Sequence, residues 1–446
     1  MDARHRTWAT SERFVPKTFI RPFVRFSRIE ASSGIILLFA AVAALVWANS
    51  IWSDTYFSLF QERFTIDFSG FHFDESALHL INDGLMAVFF FVVGLEIKRE
   101  LVLGDLRDPK AAALPVLAAL GGMAVPALFY LSLNWGTDAV HGWGIPMATD
   151  IAFAIGIVAL LGSRVPSGAK LFLLAVAIAD DIGAITVIAL FYTSDLSNGY
   201  LAAAVTGLVS VWIAGRINVR AMWFYVPMAF VIWYLTYRSG IHATLAGVAL
   251  GFLTPARPLY HPGDFDRRAR AILDQYPHEV LDRHAQEHAD HETLLLSEIA
   301  HEAVSPLNRM ERRLVGLSSF VIVPLFALAN AGIDFRNLDV GDALTSPISI
   351  GVAGGLILGK VVGISSASFG AVRLGVGRLP PDTTWPQVVG LSAVAGIGFT
   401  VALFVTGLAF ADPVVAGLAK MGIFSGSVVA GIIGSIILIK TRTRGE

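Results

Sequence analysis

The chain has 446 residues, 55% of them hydrophobic and 15% charged, with a formal net charge of −2 and no cysteine. A water-soluble domain carries about 25% charged residues, so this deficit, with a mean hydropathy of +0.65, points to a polytopic membrane protein, and the helical spans below make it an all-α one. No basic domain supports nucleic-acid binding, and without cysteine there are no disulfides, no thiol catalysis and no Cys-ligated zinc.

In chain order, residues 1–30 are basic and precede an apolar run that lacks a small-residue cleavage site, which reads as a cytoplasmic N-terminal tail. A bilayer core about 30 Å thick needs about 20 apolar helical residues. Twelve segments meet that need: roughly 34–51, 77–97, 111–132, 144–162, 168–192, 199–215, 221–237, 240–254, 314–333, 345–367, 387–409 and 416–439. Eight lie within 31–254 and four within 312–440, with a short tail at 441–446. Only Arg238-Ser239-Gly240 divides the seventh from the eighth. The Lys and Arg residues alternate between loops. One set holds Arg21, Arg25, Arg28, Lys98, Arg99, Arg107, Lys110, Arg164, Lys170, Arg216, Arg373 and Lys440, whereas the other holds Asp54, Glu62, Asp138, Asp334 and Asp342. The positive-inside rule then puts both termini in the cytoplasm.

Two segments between spans are not apolar. At about 60–74, Phe64-Thr65-Ile66-Asp67-Phe68 and Phe71-His72-Phe73 flank Ser69-Gly70, the alternation of a short outer β-hairpin. Its open edge can pair with a second copy, which makes it a candidate homodimer contact. The polar stretch 255–311 holds six of the eleven histidines. Among them His284, His288 and His291 would share a face if the segment were helical, with the spacing of metal ligands, but a solvated, pH-responsive segment is the expected reading.

The chemistry concentrates in the apolar spans. Asp180 and Asp181 are neighbours inside the apolar run Leu171–Leu190. Each carboxylate at the bilayer centre costs roughly 2.5–3.5 kcal/mol on insertion scales. Packing needs no such pair; movement of a cation or proton does. Neighbours on a helix point about 100° apart, so the two can face different surroundings. Asp150 follows Pro146-Met147-Ala148-Thr149, where the helix is interrupted or begins with a cap. A second interruption, or a close glycine packing, is expected at Gly396-Ile397-Gly398-Phe399-Thr400 in the eleventh span. Two interrupted spans, the fourth and the eleventh, point to a secondary-transporter site. Lys360 lies in the tenth span, beside glycines 351, 355, 359 and 363 that form one small face. It is too central to snorkel. It pairs with Asp180 or Asp181, or else stays neutral. Asp83 sits near the outer end of the second span, and Glu96, Lys98, Arg99 and Glu100 cluster at its inner end. His242 opens the eighth span.

These motifs resemble a known family. Ile81-Asn82-Asp83-Gly84-Leu85, Val93-Gly94-Leu95-Glu96-Ile97-Lys98-Arg99-Glu100, Ala148-Thr149-Asp150-Ile151-Ala152-Phe153, Asp180-Asp181-Ile182-Gly183-Ala184, His242-Ala243-Thr244-Leu245-Ala246-Gly247 and Gly396-Ile397-Gly398-Phe399-Thr400 are similar, in this order, to the NhaA-type bacterial sodium/proton antiporters. The resemblance runs from about 31 to 440, apart from 255–310. It implies twelve helices in inverted repeats, with the broken fourth and eleventh crossing at the midplane. It implies that Asp181 is the main carboxylate for Na⁺ and protons, that Asp150 sits at the crossing beside Thr149, and that Asp180 is a second essential carboxylate paired with Lys360. It gives Glu96, Glu311 and His242 to a cytoplasmic funnel and pH response, and Asp83, Gly396, Gly398 and Thr400 supporting positions. It further implies electrogenic exchange of Na⁺ or Li⁺ for H⁺, a role in pH and sodium homeostasis, dimers through the outer hairpin, a place in the bacterial inner membrane, and neither enzymatic activity nor a cofactor. The sequence departs from the pattern at Gly359-Lys360-Val361, where a proline is expected after the lysine. It departs again at Arg312 and Val315, where histidines are expected, and in the long insertion before Glu311. These departures leave the transport core untouched and bear on the pH set-point.

Two other functions fit a carboxylate-bearing membrane core. A sodium-coupled symporter of an organic solute needs a roomier cavity. An intramembrane aspartyl protease using Asp150 with Asp180 or Asp181 needs a Gly-x-Gly-Asp motif, which is absent. No phosphate-binding glycine loop followed by lysine is present either.

Overall fold

A computed structural model describes residues 32–68, 71–193, 196–219, 222–277, 283–336 and 339–441; the N-terminal tail and residues 442–446 lie outside these. The described chain is mostly helical. It forms helices α1 (Ser32–Ala48) and α2 (Ser53–Gln61), then strands β1 (Arg63–Phe68) and β2 (Phe71–Ser76). Next come α3 (Ala77–Val102) and α4 (Pro109–Asn134), and a 3₁₀ segment Asp138–Met147 that leads into α5 (Ile151–Leu161). Helices α6 (Ser167–Phe191), α7 (Asn198–Arg216), α8 (Met222–Arg238) and α9 (Thr244–Leu253) follow. The polar α10 (Pro262–Gln275) and α11 (Arg283–Glu302) precede α12 (Pro306–Asn330) and the short α13 (Val340–Thr345). The chain closes with α14 (Pro347–Arg373), α15 (Trp385–Val394), α16 (Phe399–Ala409) and α17 (Pro413–Lys440).

Among the described residues, eight helices are long and apolar enough to cross a bilayer, and two pairs bent at short breaks raise the number to ten. The expected twelve are not all there at full length. The segment expected at about 240–254 is helical only from Thr244 to Leu253, about 15 Å at 1.5 Å per residue. Gly240 turns the chain with φ +84°, a conformation that suits glycine, and the turn consumes the residues before Thr244. Helix α8, at 17 residues, is also short.

The chain divides into two compact units. One comprises Met1–Met86, Asp105–Asp195 and Ser319–Glu446; the other comprises Ala87–Gly104 and Leu196–Ser318. In the first unit, α4 and α14 approach so closely that a Cβ on either Gly121 or Gly363 would overlap the carbonyl of the other. Small residues of this kind let membrane helices pack backbone to backbone. Gly363→Leu is therefore expected to abolish the monodisperse elution peak in detergent; a wild-type profile and yield would contradict this packing. The hairpin also belongs to this unit. Its strands pair antiparallel, from Arg63 opposite Ser76 to Phe68 opposite Phe71.

In the second unit, Gly247 lies against the carbonyl of Ala87, and Gly94 against the backbone of Val248 and Gly251, so α3 and α9 are in direct backbone contact. The described part of the polar 255–311 stretch is largely helical. It holds α10 and α11, whose exposed faces carry helical pairs such as Arg270–Asp266 at 3.0 Å and Arg283–Glu287 at 3.0 Å. Hydropathy cannot register such helices because their surface is charged.

Candidate functional site

The site grows from two places where helical winding fails. Pro146 cannot donate a ladder hydrogen bond, and the chain unwinds after Met147. Ala148 and Asp150 are extended, with ψ of 145° and 101°, before α5 starts at Ile151. Asp150 caps α5, its Oδ1 accepting the Phe153 N–H at 3.2 Å. The second failure separates α15 from α16, whose axes differ by 48°. A Cβ at Gly396 would overlap the Leu356 carbonyl, so the close approach requires glycine there, while one at Gly398 would press on the Leu356 side chain at 2.9 Å and the Ala148 carbonyl at 3.0 Å.

Broken helices leave amides and carbonyls without ladder partners. Here the two breaks satisfy each other. The Asp150 N–H donates to the Ile397 carbonyl at 2.6 Å, and the Thr149 hydroxyl donates to the Ala395 carbonyl at 2.8 Å. The Thr400 N–H donates to Asp150 Oδ2 at 3.0 Å, and the Thr400 hydroxyl donates to the same oxygen. Gly396 and Gly398 thus lie against neighbouring backbone and side chain, and Thr400 against the carboxylate of Asp150.

Lys360 reaches this arrangement from α14. A wide turn at Gly355–Gly359 immediately precedes it, and such turns inside helices gather at functional positions. The side chain is 0% exposed. Its Nζ donates to Asp180 Oδ2 at 2.6 Å and to Thr149 Oγ1 at 3.0 Å. Asp180 is the carboxylate paired with the lysine. Its other oxygen, Oδ1, is buried and accepts no hydrogen bond among the described residues. Asp181 is buried at the next position of α6, with 8% of its surface exposed, and its side chain leaves the helix about 100° away from that of Asp180. Asp180, Lys360 and Thr149 form one hydrogen-bonded group, Asp150 and Thr400 form another, and the backbone between Thr149 and Asp150 joins the two inside the first unit.

The other anticipated residues lie elsewhere. Glu96, Arg99, Glu100 and Glu311 gather in the second unit. Arg99 pairs with Glu311 and, at 3.1 Å, with Glu100; Glu96 lies within the field of all three. Lys98 donates to the Phe252 carbonyl at 2.6 Å and to that of Thr254, a cation at the negative end of α9. His242 is half-buried and its carbonyl accepts the Leu245 N–H at 3.0 Å. Asp83 sits in the wide turn Leu80–Leu85. Its neighbour Asn82 exchanges two amide hydrogen bonds with Asn330, at 3.2 and 2.7 Å. His284 and His288 lie at 4.0 Å from Glu287 and 3.9 Å from Glu292, and no three potential metal ligands converge among the described residues.

Sequence reading missed the carbonyls of Ala395 and Ile397, which carry no side-chain signal. It also missed the pairing of Arg99 with Glu311, which joins residues far apart in the chain.

The comparisons with known proteins cover nearly the whole chain. The Na+/H+ antiporter 1 family model matches residues 24–438. A Na(+)/H(+) antiporter NhaA of Rhodopirellula baltica is 46% identical over 426 residues, covering 95% of this chain and 94% of the relative. The protein of the same name from Oleidesulfovibrio alaskensis is 44% identical over 433 residues, with 96% and 95% covered. That of Sulfurimonas denitrificans is 42% identical over 420 residues, with 94% and 95% covered. With eight to ten apolar helices and a match of this extent, the chain is a multi-pass membrane protein that belongs to the Na+/H+ antiporter 1 family.

Proposed function

We propose that this protein exchanges cytoplasmic Na⁺ or Li⁺ for external H⁺ across the bacterial inner membrane, electrogenically, and so serves pH and sodium homeostasis. The observation that carries the reading is the buried network of Asp150, Thr149, Lys360 and Asp180 at two mutually bonded helix breaks, with Asp181 beside it. Na⁺ is a hard cation that takes oxygen ligands. Asp181, Asp150, the Thr149 hydroxyl and the carbonyls at the breaks supply them, each carbonyl keeping a second lone pair.

A bound Na⁺ and a bound proton each neutralise a buried carboxylate, so the two compete for the same oxygens. Lys360 and a cation likewise compete for Asp180. A Na⁺ drawn to Asp180 Oδ1 weakens the hold of Nζ on Oδ2. Exchange of more than one proton for each entering cation moves net charge across the membrane. The broken helices give the halves of spans four and eleven freedom to tilt about the site and open it to either side in turn. Twelve spans in inverted repeats, with the breaks crossing at the midplane, complete the proposed architecture; α8 and α9 supply the two shorter elements. Cytoplasmic termini follow from the distribution of Lys and Arg. Glu96, Glu311 and His242 are proposed to set the pH response, with Asp83 in support, and the outer hairpin to join two copies into a homodimer.

The test is the collapse of a respiration-driven ΔpH in everted vesicles. Na⁺ or Li⁺ alone should collapse it in vesicles holding this protein, and absence of a cation response would overturn the proposal.

A further inference from the structure

Just before the first break, the chain passes through His141-Gly142-Trp143-Gly144 within the 3₁₀ segment. Two tyrosine hydroxyls fasten this stretch. Tyr130 on α4 donates to the Ala139 carbonyl at 2.8 Å. Tyr192, the residue after α6, donates to the His141 carbonyl at 2.7 Å and accepts the Gly144 N–H at 3.3 Å. The neighbouring residue Phe191 meets Trp143 edge to face, with ring centroids 5.1 Å apart. Both glycines are cut to admit the hydroxyls: a Cβ at Gly142 would overlap that of Tyr130, and one at Gly144 would lie 2.7 Å from that of Tyr192.

Tyr192 therefore joins two parts of the site. Its backbone ends α6, which carries Asp180 and Asp181 about three turns earlier. Its hydroxyl holds the segment that delivers Thr149 and Asp150. We propose that Tyr192 is a positioning residue for ion binding: by locking the 3₁₀ segment to the end of α6, it fixes the spacing between the Thr149-Asp150 ligands and the Asp180-Asp181 pair. Tyr192 touches no ion itself. The inference rests on the exchange reading above, and it assigns Gly144 the task of leaving room for the lock.

Because a lost neutral hydrogen bond is worth a factor of about three to ten in an equilibrium, Tyr192→Phe should raise the KM for Na⁺ by about that factor. The maximal rate should stay within about twofold, and the melting temperature in detergent should fall only slightly, because the ring and its packing remain while the His141 carbonyl and the Gly144 N–H lose one partner. Gly144→Ala should raise KM at least as much by pushing against the hydroxyl. In the double variant the oxygen in the way is gone, so Tyr192→Phe/Gly144→Ala should show a lower KM than Gly144→Ala alone. Measurement of Na⁺-dependent proton flux in proteoliposomes for wild type and these three variants reads all of this. Unchanged KM in both single variants, or a double variant worse than Gly144→Ala, would overturn the positioning role while leaving exchange intact. A wild type without exchange would overturn the proposed function, and this inference with it. A purely structural role would lower the maximal rate and the melting temperature together, without the rescue, and would equally contradict the proposal.

Discussion

Asp181→Asn is expected to reduce Na⁺-driven proton exchange to the background of empty vesicles while the protein still inserts, purifies as a single species and melts near the wild-type temperature. Asparagine keeps the shape and the buried position of Asp181 but cannot take up or release a proton in the physiological range, nor neutralise a bound cation. Competition between Na⁺ and H⁺ fails at once, whichever side the site faces. Asp180 is a poor substitute, because Lys360 holds it at 2.6 Å and contests any cation there, and its side chain points about 100° away. A variant with measurable exchange would show that Asp181 is not the competing group.

Lys360→Ala carries the second large effect, and it appears first in stability. Removing one partner of a buried ion pair costs about 3–5 kcal/mol, because the remaining charge is left uncompensated. Asp180 would be stranded in a fully buried setting, and the Thr149 hydroxyl would lose the Nζ at 3.0 Å. The melting temperature in detergent should fall well below that of the wild type. The double variant Lys360→Met/Asp180→Leu should recover much of the loss, since replacing a buried pair by apolar residues of similar volume is often close to neutral, yet it should remain inactive. Equal melting of Lys360→Ala and the wild type would contradict the pair; recovery of transport in the double variant would contradict its part in proton coupling.

Much of this site was legible from single positions. Pro146 and the closely spaced Gly396 and Gly398 marked the two breaks, because backbone chemistry is local. The aspartate pair announced itself by the cost of its surroundings. The residues alone left Lys360 open to Asp180 or Asp181, since the choice depends on how α6 is rotated toward α14; only the family resemblance pointed to Asp180, the partner found at 2.6 Å. The mutual capping of the breaks was hidden for a related reason: Asp150 and Thr400 lie 250 residues apart, and half the bonds run to main-chain carbonyls.

In the fold, the hairpin could be placed from Ser69-Gly70 between two alternating runs, and its strands extend to Ser76. The helical nature of α10 and α11 was masked by their charge, although the i, i+4 pairs of Arg270 with Asp266 and Arg283 with Glu287 were present in the sequence. The shortness of α9 escaped hydropathy because apolar residues in a turn count the same as apolar residues in a helix.

Purified protein in sealed liposomes, given a Na⁺ gradient and no other solute, tests competition for Asp181 most directly. Acidification or alkalinisation of the lumen should follow the direction of the Na⁺ gradient, should be altered by an imposed membrane potential, and should vanish in Asp181→Asn. A proton flux that requires an organic solute, or that persists unchanged in Asp181→Asn, would contradict it.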